Sequence, residues 1–180
     1  MPDGGCLTGT GSLDLAVFTR VMARAGADRS RPLCHTLGLS PEALGALLRR
    51  YPMLAPMVPP GGPGADAGPD TPEEPDLRAL LLDHANQTEP LPETGWLAAI
   101  VARACQGSHH LWQDLGLAHR GQLSALIDRH FVPLAQANHR DMKWKKFFYR
   151  CLCEREGISF CPSPQCDACP DHRNCFGAEV

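Results

Sequence analysis

This 180-residue chain predicts an all-α fold: a helical domain ending in an irregular, cysteine-rich, metal-binding C-terminal tail. Three observations predict it. Apolar residues recur at three- and four-residue intervals through most of the chain, alternation of β-branched residues is nearly absent, and six of the nine cysteines fall after residue 150.

The elements follow in order. Residues 1–56 read as an N-terminal helical segment. Its first eleven residues are glycine-rich and carry no helical pattern. Ser12 is placed to cap a first helix whose stripe, Leu13, Val17, Val21 and Met22, ends near Gly26. Ser40-Pro41-Glu42 combines a capping hydroxyl, a first-turn proline and an acid at the positive end of the dipole, so a second helix starts there and runs to about Tyr51. Residues 57–75 are so rich in proline and glycine that they read as a linker or surface loop without chemistry.

Residues 76–180 read as a helical core carrying the cysteine motif. Leu77, Leu80 and Leu81 carry a helix from Glu74 to His84. Trp96, Leu97, Ile100 and Val101 carry another from Glu93 to about Gln106. A short turn from Gly107 closes at Gly116, a helix spans Arg120 to Phe131 with Pro133 marking its end, and the last long helix runs from about Arg140 to Glu156 and stops at Gly157.

Composition bounds the function. At 43% hydrophobic the chain can bury a true core, so its cysteines are not required to staple a miniature scaffold. A net charge of −3 argues against a nucleic-acid binder that works by overall attraction. The N-terminal sequence MPDGGCLTGTGS lacks the basic and apolar regions of a secretory signal, and no apolar run reaches the roughly 18 residues of a membrane span. A cytoplasmic location is expected, where a cysteine cluster means metal or redox chemistry more often than disulfides.

Cys161-x4-Cys166-x2-Cys169-x5-Cys175 is the chemical signature. Packing does not call for four thiols so close together, whereas soft metals do. Three readings compete. Structural zinc usually takes two closely spaced pairs far apart in sequence, and only Cys166 and Cys169 form such a pair. The x4-x2 opening has the spacing of plant-type iron–sulfur ligands, and Pro162, Pro164 and Pro170 stiffen the loop. A redox pair at Cys166 and Cys169 lacks its usual strand–helix setting.

On the preceding helix, at about 100° per residue, Cys151 shares the apolar face of Trp144, Phe147 and Phe148 and reads as packing. Cys153 falls nearly opposite and is a candidate additional metal ligand or transfer relay. Lys143, Lys146 and Arg150 form a cationic face, which is either an ordinary solvated surface or a docking face for an oxyanion or an acidic partner. Among the eight histidines, His130 sits on an apolar stripe and reads as a hydrogen-bonded core residue. His172 lies inside the cysteine loop, where imidazole can complete a metal site.

HHLWQDLGL at 109–117, HFVPLAQANHRDMKWKKFFYRCLCEREG at 130–157 and the four-cysteine tail ending in CFG at 175–177 together resemble the NifQ family over roughly residues 96–177. The resemblance implies a molybdenum carrier of nitrogen fixation, without ordinary substrate turnover. The family's iron–sulfur cluster can include molybdenum, and the protein serves as a source of that metal when the iron–molybdenum cofactor is assembled. It further implies Cys161, Cys166, Cys169 and Cys175 as ligands of a 3Fe-4S or 4Fe-4S type cluster. The implied partners are the cofactor scaffold and its reductase and metal-insertion protein (NifEN, NifH). A zinc-stabilised module binding protein or nucleic acid is the alternative.

Overall fold

A computed structural model describes residues 10–65, 68–88, 91–157 and 172–179. Its helices are α1 (Thr10–Ala27), α2 (Leu33–Leu37), α3 (Pro41–Arg50), α4 (Glu74–Asp83), α5 (Glu93–Ala104), α6 (Leu111–Asp114), α7 (Arg120–His130), α8 (Val132–Ala137), α9 (Trp144–Arg155) and α10 (His172–Phe176), with a 3-10 turn at Pro52–Met57. There is no strand among the described residues. The all-α class is therefore the observed one.

Helix α5 lies at the centre because its sequence allows it. Leu97, Ala98, Ala99, Ile100, Val101 and Ala102 are consecutive and all buried. A helix that is apolar all round must be covered all round, and here α4, α2, α3 and α6 cover it. The alanines let those neighbours approach closely. Helix α9 packs on α4, and α1 packs on α2, α7 and the 3-10 turn. The ring of Phe18 in α1 meets Tyr51 at 5.4 Å and Trp96 at 6.3 Å, joining the first helix to α3 and α5.

Ser40 caps α3 as expected, its hydroxyl accepting from the Ala43 N–H at 3.2 Å, with Pro41 in the first turn. Other boundaries move. Helix α1 begins at Thr10, so Ser12 stands inside it and is not its cap. Helix α2 has only five residues, too few to display a period; it buries Leu33, Cys34 and Leu37 and ends on Gly38, whose φ of 66° is readily supplied by glycine. Pro133 does not simply end α7. It sits in the first turn of α8, where its missing N–H costs nothing.

Of the 57–75 stretch, Met57 belongs to the 3-10 turn and Glu74 and Pro75 to α4, so the loop among the described residues is 58–65 and 68–73, stitched to the helices beside it. The Pro63 carbonyl accepts from Cys34 N–H at 2.9 Å, and Gly68 and Thr71 bond to Arg103 of α5 and to Gln106 just beyond its end.

The last long helix starts at Trp144, four residues later than expected from Arg140. Asp141 has a φ of 55°, which a right-handed helix cannot contain. The Asn138 amide closes this corner. Its Nδ2 donates to the Met142 carbonyl at 2.9 Å and its Oδ1 accepts from Met142 N–H at 2.8 Å. The Arg120 guanidinium also donates to the Asp141 and Met142 carbonyls, at 3.2 and 2.9 Å. Residues 138–143 are thus a braced corner between α8 and α9.

Candidate metal centre

The expected ligands divide by position. Cys161, Cys166 and Cys169 lie outside the described residues, as does most of the tail expected to be irregular. Cys175 and Cys153 are described, and both are half-buried. Among the described residues, no three His, Cys, Asp or Glu side chains converge as a metal site.

Cys175 lies on α10, so the final part of the tail is helical and not irregular. This short helix is seated on the braced corner. The Lys143 N–H donates to the Cys175 carbonyl at 2.7 Å, and Lys143 Nζ donates to the Arg173 carbonyl at 3.1 Å. Phe176 stacks on His172 with centroids 4.6 Å apart, and the Arg140 guanidinium lies 5.4 Å from the Phe176 centroid. Cys175 and Phe176 both pack against the core.

Gly177 closes the turn through an N–H to the Arg173 carbonyl, and a Cβ there would come within 2.5 Å of that same oxygen. Only glycine fits this approach without a shift. Beyond it, Glu179 lies 3.9 Å from Arg120 and 4.0 Å from His110. The second cysteine-bearing element, α9, is held separately: Trp144, Phe147 and Phe148 are buried, and Lys145 forms an ion pair with Asp114 of α6.

The other thiols differ in environment. Burial raises Cys105 to about 12 and Cys151 to about 11, so at neutral pH both are protonated and inert. Cys151 packs against the core beside the α9 aromatics, as its face predicted. His130 is fully buried, with Nε2 2.9 Å from Asp14 Oδ1 and Nδ1 2.9 Å from Thr94 Oγ1; it is a satisfied core histidine.

The cationic face of α9 is only partly free. Lys143 serves the α10 backbone and Arg150 pairs with Glu154 at 2.6 Å, while Lys146 is exposed. Sequence reasoning missed the seat itself, Asn138, Arg120 and the Lys143 main chain. The only available signal was that NHRDMKW belongs to a segment carrying the resemblance.

A four-cysteine motif whose last member rides on a docked C-terminal turn of a helical domain defines the class: an α-helical protein with a terminal cysteine motif. A family model described as NifQ matches residues 17–177. Similar proteins include Protein NifQ of Azotobacter vinelandii, 50% identical over 105 residues that make up 58% of this chain and 53% of the relative. Protein NifQ of Rhodobacter capsulatus is 43% identical over 149 residues, 82% of this chain and 79% of the relative. Protein NifQ homolog of Sinorhizobium fredii is 46% identical over 107 residues, 59% and 46% of the two chains. The match spans about half the length of the Azotobacter and Sinorhizobium relatives. No solved structure gives a significant match. The chain belongs to the NifQ family. No helix among the described residues is long and apolar enough to cross a membrane.

Proposed function

We propose that this chain is a cytoplasmic molybdenum carrier of nitrogen fixation. It holds an iron–sulfur cluster of 3Fe-4S or 4Fe-4S type through Cys161, Cys166, Cys169 and Cys175, and supplies molybdenum for assembly of the nitrogenase iron–molybdenum cofactor. It acts as a donor and not as an enzyme. The observation that carries the reading is the Cys161-x4-Cys166-x2-Cys169-x5-Cys175 spacing, all of it within the residues 17–177 matched by the family.

The donor set suits the group. Four thiolates are soft ligands, suited to iron–sulfur clusters and to a metal that ends in a sulfide-rich cofactor. The described part agrees with a ligand-bearing role for Cys175, which is half-buried on a turn docked to the core, a setting that limits solvent access to a bound group. Bound there, the cluster supplies a sulfide-rich environment in which molybdenum is held as cargo. The chain's own residues bind through their thiolates, seat α10 on the 138–143 corner, and present Lys146 on the surface of α9. The receiving partners are the cofactor scaffold and its reductase and metal-insertion protein, NifEN and NifH.

One anaerobic preparation tests the reading. The protein should be brown, with broad visible absorption, iron and acid-labile sulfide in a ratio of about 3:4 or about 1:1 according to cluster type, and a paramagnetic signal in one redox state. It should also deliver molybdenum to NifEN in a reconstituted assay. A colourless protein with stoichiometric zinc would overturn the cluster. A brown protein that delivers no molybdenum would overturn the donor role.

A further inference from the structure

Away from the cysteine motif, residues of α1, α2, α5 and α6 and the loops beside them line an open cleft of about 630 Å3, a size that suits a small molecule. Part of the lining is apolar: Val21 and Ala25 of α1, Leu37 of α2, Ile100 of α5 and Leu115 after α6 are all buried. Arg24, Arg31, Arg103, Asp28, Asp70 and Asp114 supply its charges.

Most of those charges are already committed. Arg31 Nη1 donates to both Asp70 carboxylate oxygens, at 3.0 and 2.9 Å. Arg103 serves Glu74 and the Gly68 and His35 carbonyls. Asp114 pairs with Lys145 at 2.5 Å and with His109 at 3.1 Å, and Asp28 accepts from the Ser30 N–H and hydroxyl. Arg24 differs. Its one ion pair among the described residues is with Asp114 at 4.0 Å, too long for a hydrogen bond, and its side chain is 52% exposed. Counting Lys145 and Glu74 beside the lining, the cations Arg24, Arg31, Arg103 and Lys145 balance the carboxylates of Asp28, Asp70, Asp114 and Glu74. A balanced cleft with one uncommitted guanidinium suits a single negative charge, and its apolar lining suits a hydrocarbon body.

We propose that this cleft binds a small organic monocarboxylate, its carboxylate on the Arg24 guanidinium and its apolar body against Val21, Leu37, Ile100 and Leu115. The planar guanidinium offers a carboxylate two parallel donors, which Asp114 at its distance does not occupy. None of these residues belongs to the cysteine motif, so either result of the test leaves the cluster reading where it stands.

Full-length protein, isotopically labelled, tests this by amide-resolved NMR. Hexanoate should shift the amides of Val21, Leu37, Ile100 and Leu115 along one saturable curve. Acetate, with the same charge and almost no body, should bind at least about tenfold more weakly. Hexylamine reverses the charge and sulfate lacks the body, so neither should saturate those amides. In Arg24→Gln the hexanoate affinity should fall about tenfold, near the lower end for a charged hydrogen bond because this guanidinium is half-exposed. Arg24→Lys keeps the charge without the fork and should recover part of that loss.

Hexylamine binding as tightly as hexanoate would show an apolar crevice without charge selection and overturn the proposal. Sulfate binding more tightly than hexanoate would assign an inorganic oxyanion instead, and unchanged hexanoate affinity in Arg24→Gln would take the carboxylate off Arg24. Shifts that never saturate, or that lie elsewhere on the protein, overturn it as well. If Arg24→Gln fails to fold, the comparison of the four probes on wild-type protein decides.

Discussion

His130 of α7 donates from Nε2 to Asp14 Oδ1 of α1 at 2.9 Å, across 116 residues of chain and with no exposure of the imidazole to solvent. Asp14 also accepts from Arg129 Nε at 3.2 Å, while Thr94 of α5 occupies the other ring nitrogen. One imidazole therefore ties together α1, α5 and α7. Removing one partner of such a buried arrangement leaves the others uncompensated.

Asp14→Asn should cost about 3 kcal/mol, by the size of effect seen when a buried ion pair loses one member. The pH dependence has a definite sign. Burial alone would raise the Asp14 carboxyl, but the His130 hydrogen bond and the charges of His130 and Arg129 outweigh it and hold the carboxyl below its ordinary value. Its stabilisation is thus fully present above about pH 4 and is lost as pH falls through the lowered value. Urea unfolding between pH 3 and 7, on the order of one unit per step, should show an acid limb in wild type that is shallower in Asp14→Asn. Parallel limbs would assign acid sensitivity to other carboxylates.

Arg103 gives a second stability test. Its guanidinium is buried, bonds both Glu74 carboxylate oxygens at 2.9 Å, and also reaches the Gly68 and His35 carbonyls. Arg103→Met alone should destabilise by about 3 kcal/mol, because Glu74 is then buried without its cation. Adding Glu74→Leu should recover at least about 1 kcal/mol of that loss, a coupling that a denaturant double-mutant cycle would measure. Strict additivity would show that Arg103 acts through its carbonyl partners instead.

The sequence made much of this fold readable, and the rest escaped it for identifiable reasons. Helices α1, α3, α4, α5, α7 and α9 each present an apolar stripe or run long enough to register, and Ser40 announces α3. Helices α2 and α8 have five and six residues, less than two turns. The late start of α9 follows from Asp141 and Asn138, a backbone and amide arrangement with no periodic trace. Long-range polar pairs such as Asp14 with His130 and Glu74 with Arg103 have no local pattern at all. In the tail the thiols were legible as a spaced motif. The bond that seats Cys175 was not, because Lys143 contributes it through its main chain and any residue with an N–H would read the same.

Cysteine chemistry should separate structural from ligand thiols. In the apo-protein at about pH 7.5, Cys105 and Cys151 should resist alkylation, since burial raises both far above that pH and only the thiolate reacts. Cys161, Cys166 and Cys169 should be modified first, as peptide mass spectrometry can follow. Alanine at Cys161, Cys166, Cys169 or Cys175 should abolish or cripple iron retention, whereas Cys151→Ala should leave iron content unchanged. Iron loss from Cys151→Ala as complete as from a loop variant would move Cys151 from packing to ligation.

Transfer should respond to charge at Lys146. Lys143 is committed to α10 and Arg150 to Glu154, so Lys146 is the residue of this face to reverse without disturbing the seat. If the face meets an acidic partner, Lys146→Glu should slow molybdenum delivery by about two- to threefold at low salt and leave iron content intact, because exposed charges act mainly on encounter rates. Salt screens them over about 8 Å at physiological strength, so the two proteins should converge as salt is added. Equal rates at low salt would return the face to an ordinary solvated surface.

Removing the metal should spare the helical domain. The buried side chains that hold it together, among them Phe18, Met22, Leu44, Leu77, Leu97, Leu126, Phe131 and Phe148, lie on α1 to α9 or the residues capping them, and α10 contributes only the partly buried Cys175 and Phe176. A core of this kind needs no metal to form, unlike a miniature zinc domain whose folding and binding are one event. Chelated protein should therefore keep its far-ultraviolet circular dichroism, losing at most the contribution of the five residues of α10. Protease sensitivity should rise in the segment after Gly157 and nowhere else. A collapse of the helical signal on chelation would mean that the cluster is part of the core, and the cysteine motif would then be a structural staple and not a site built to release its metal.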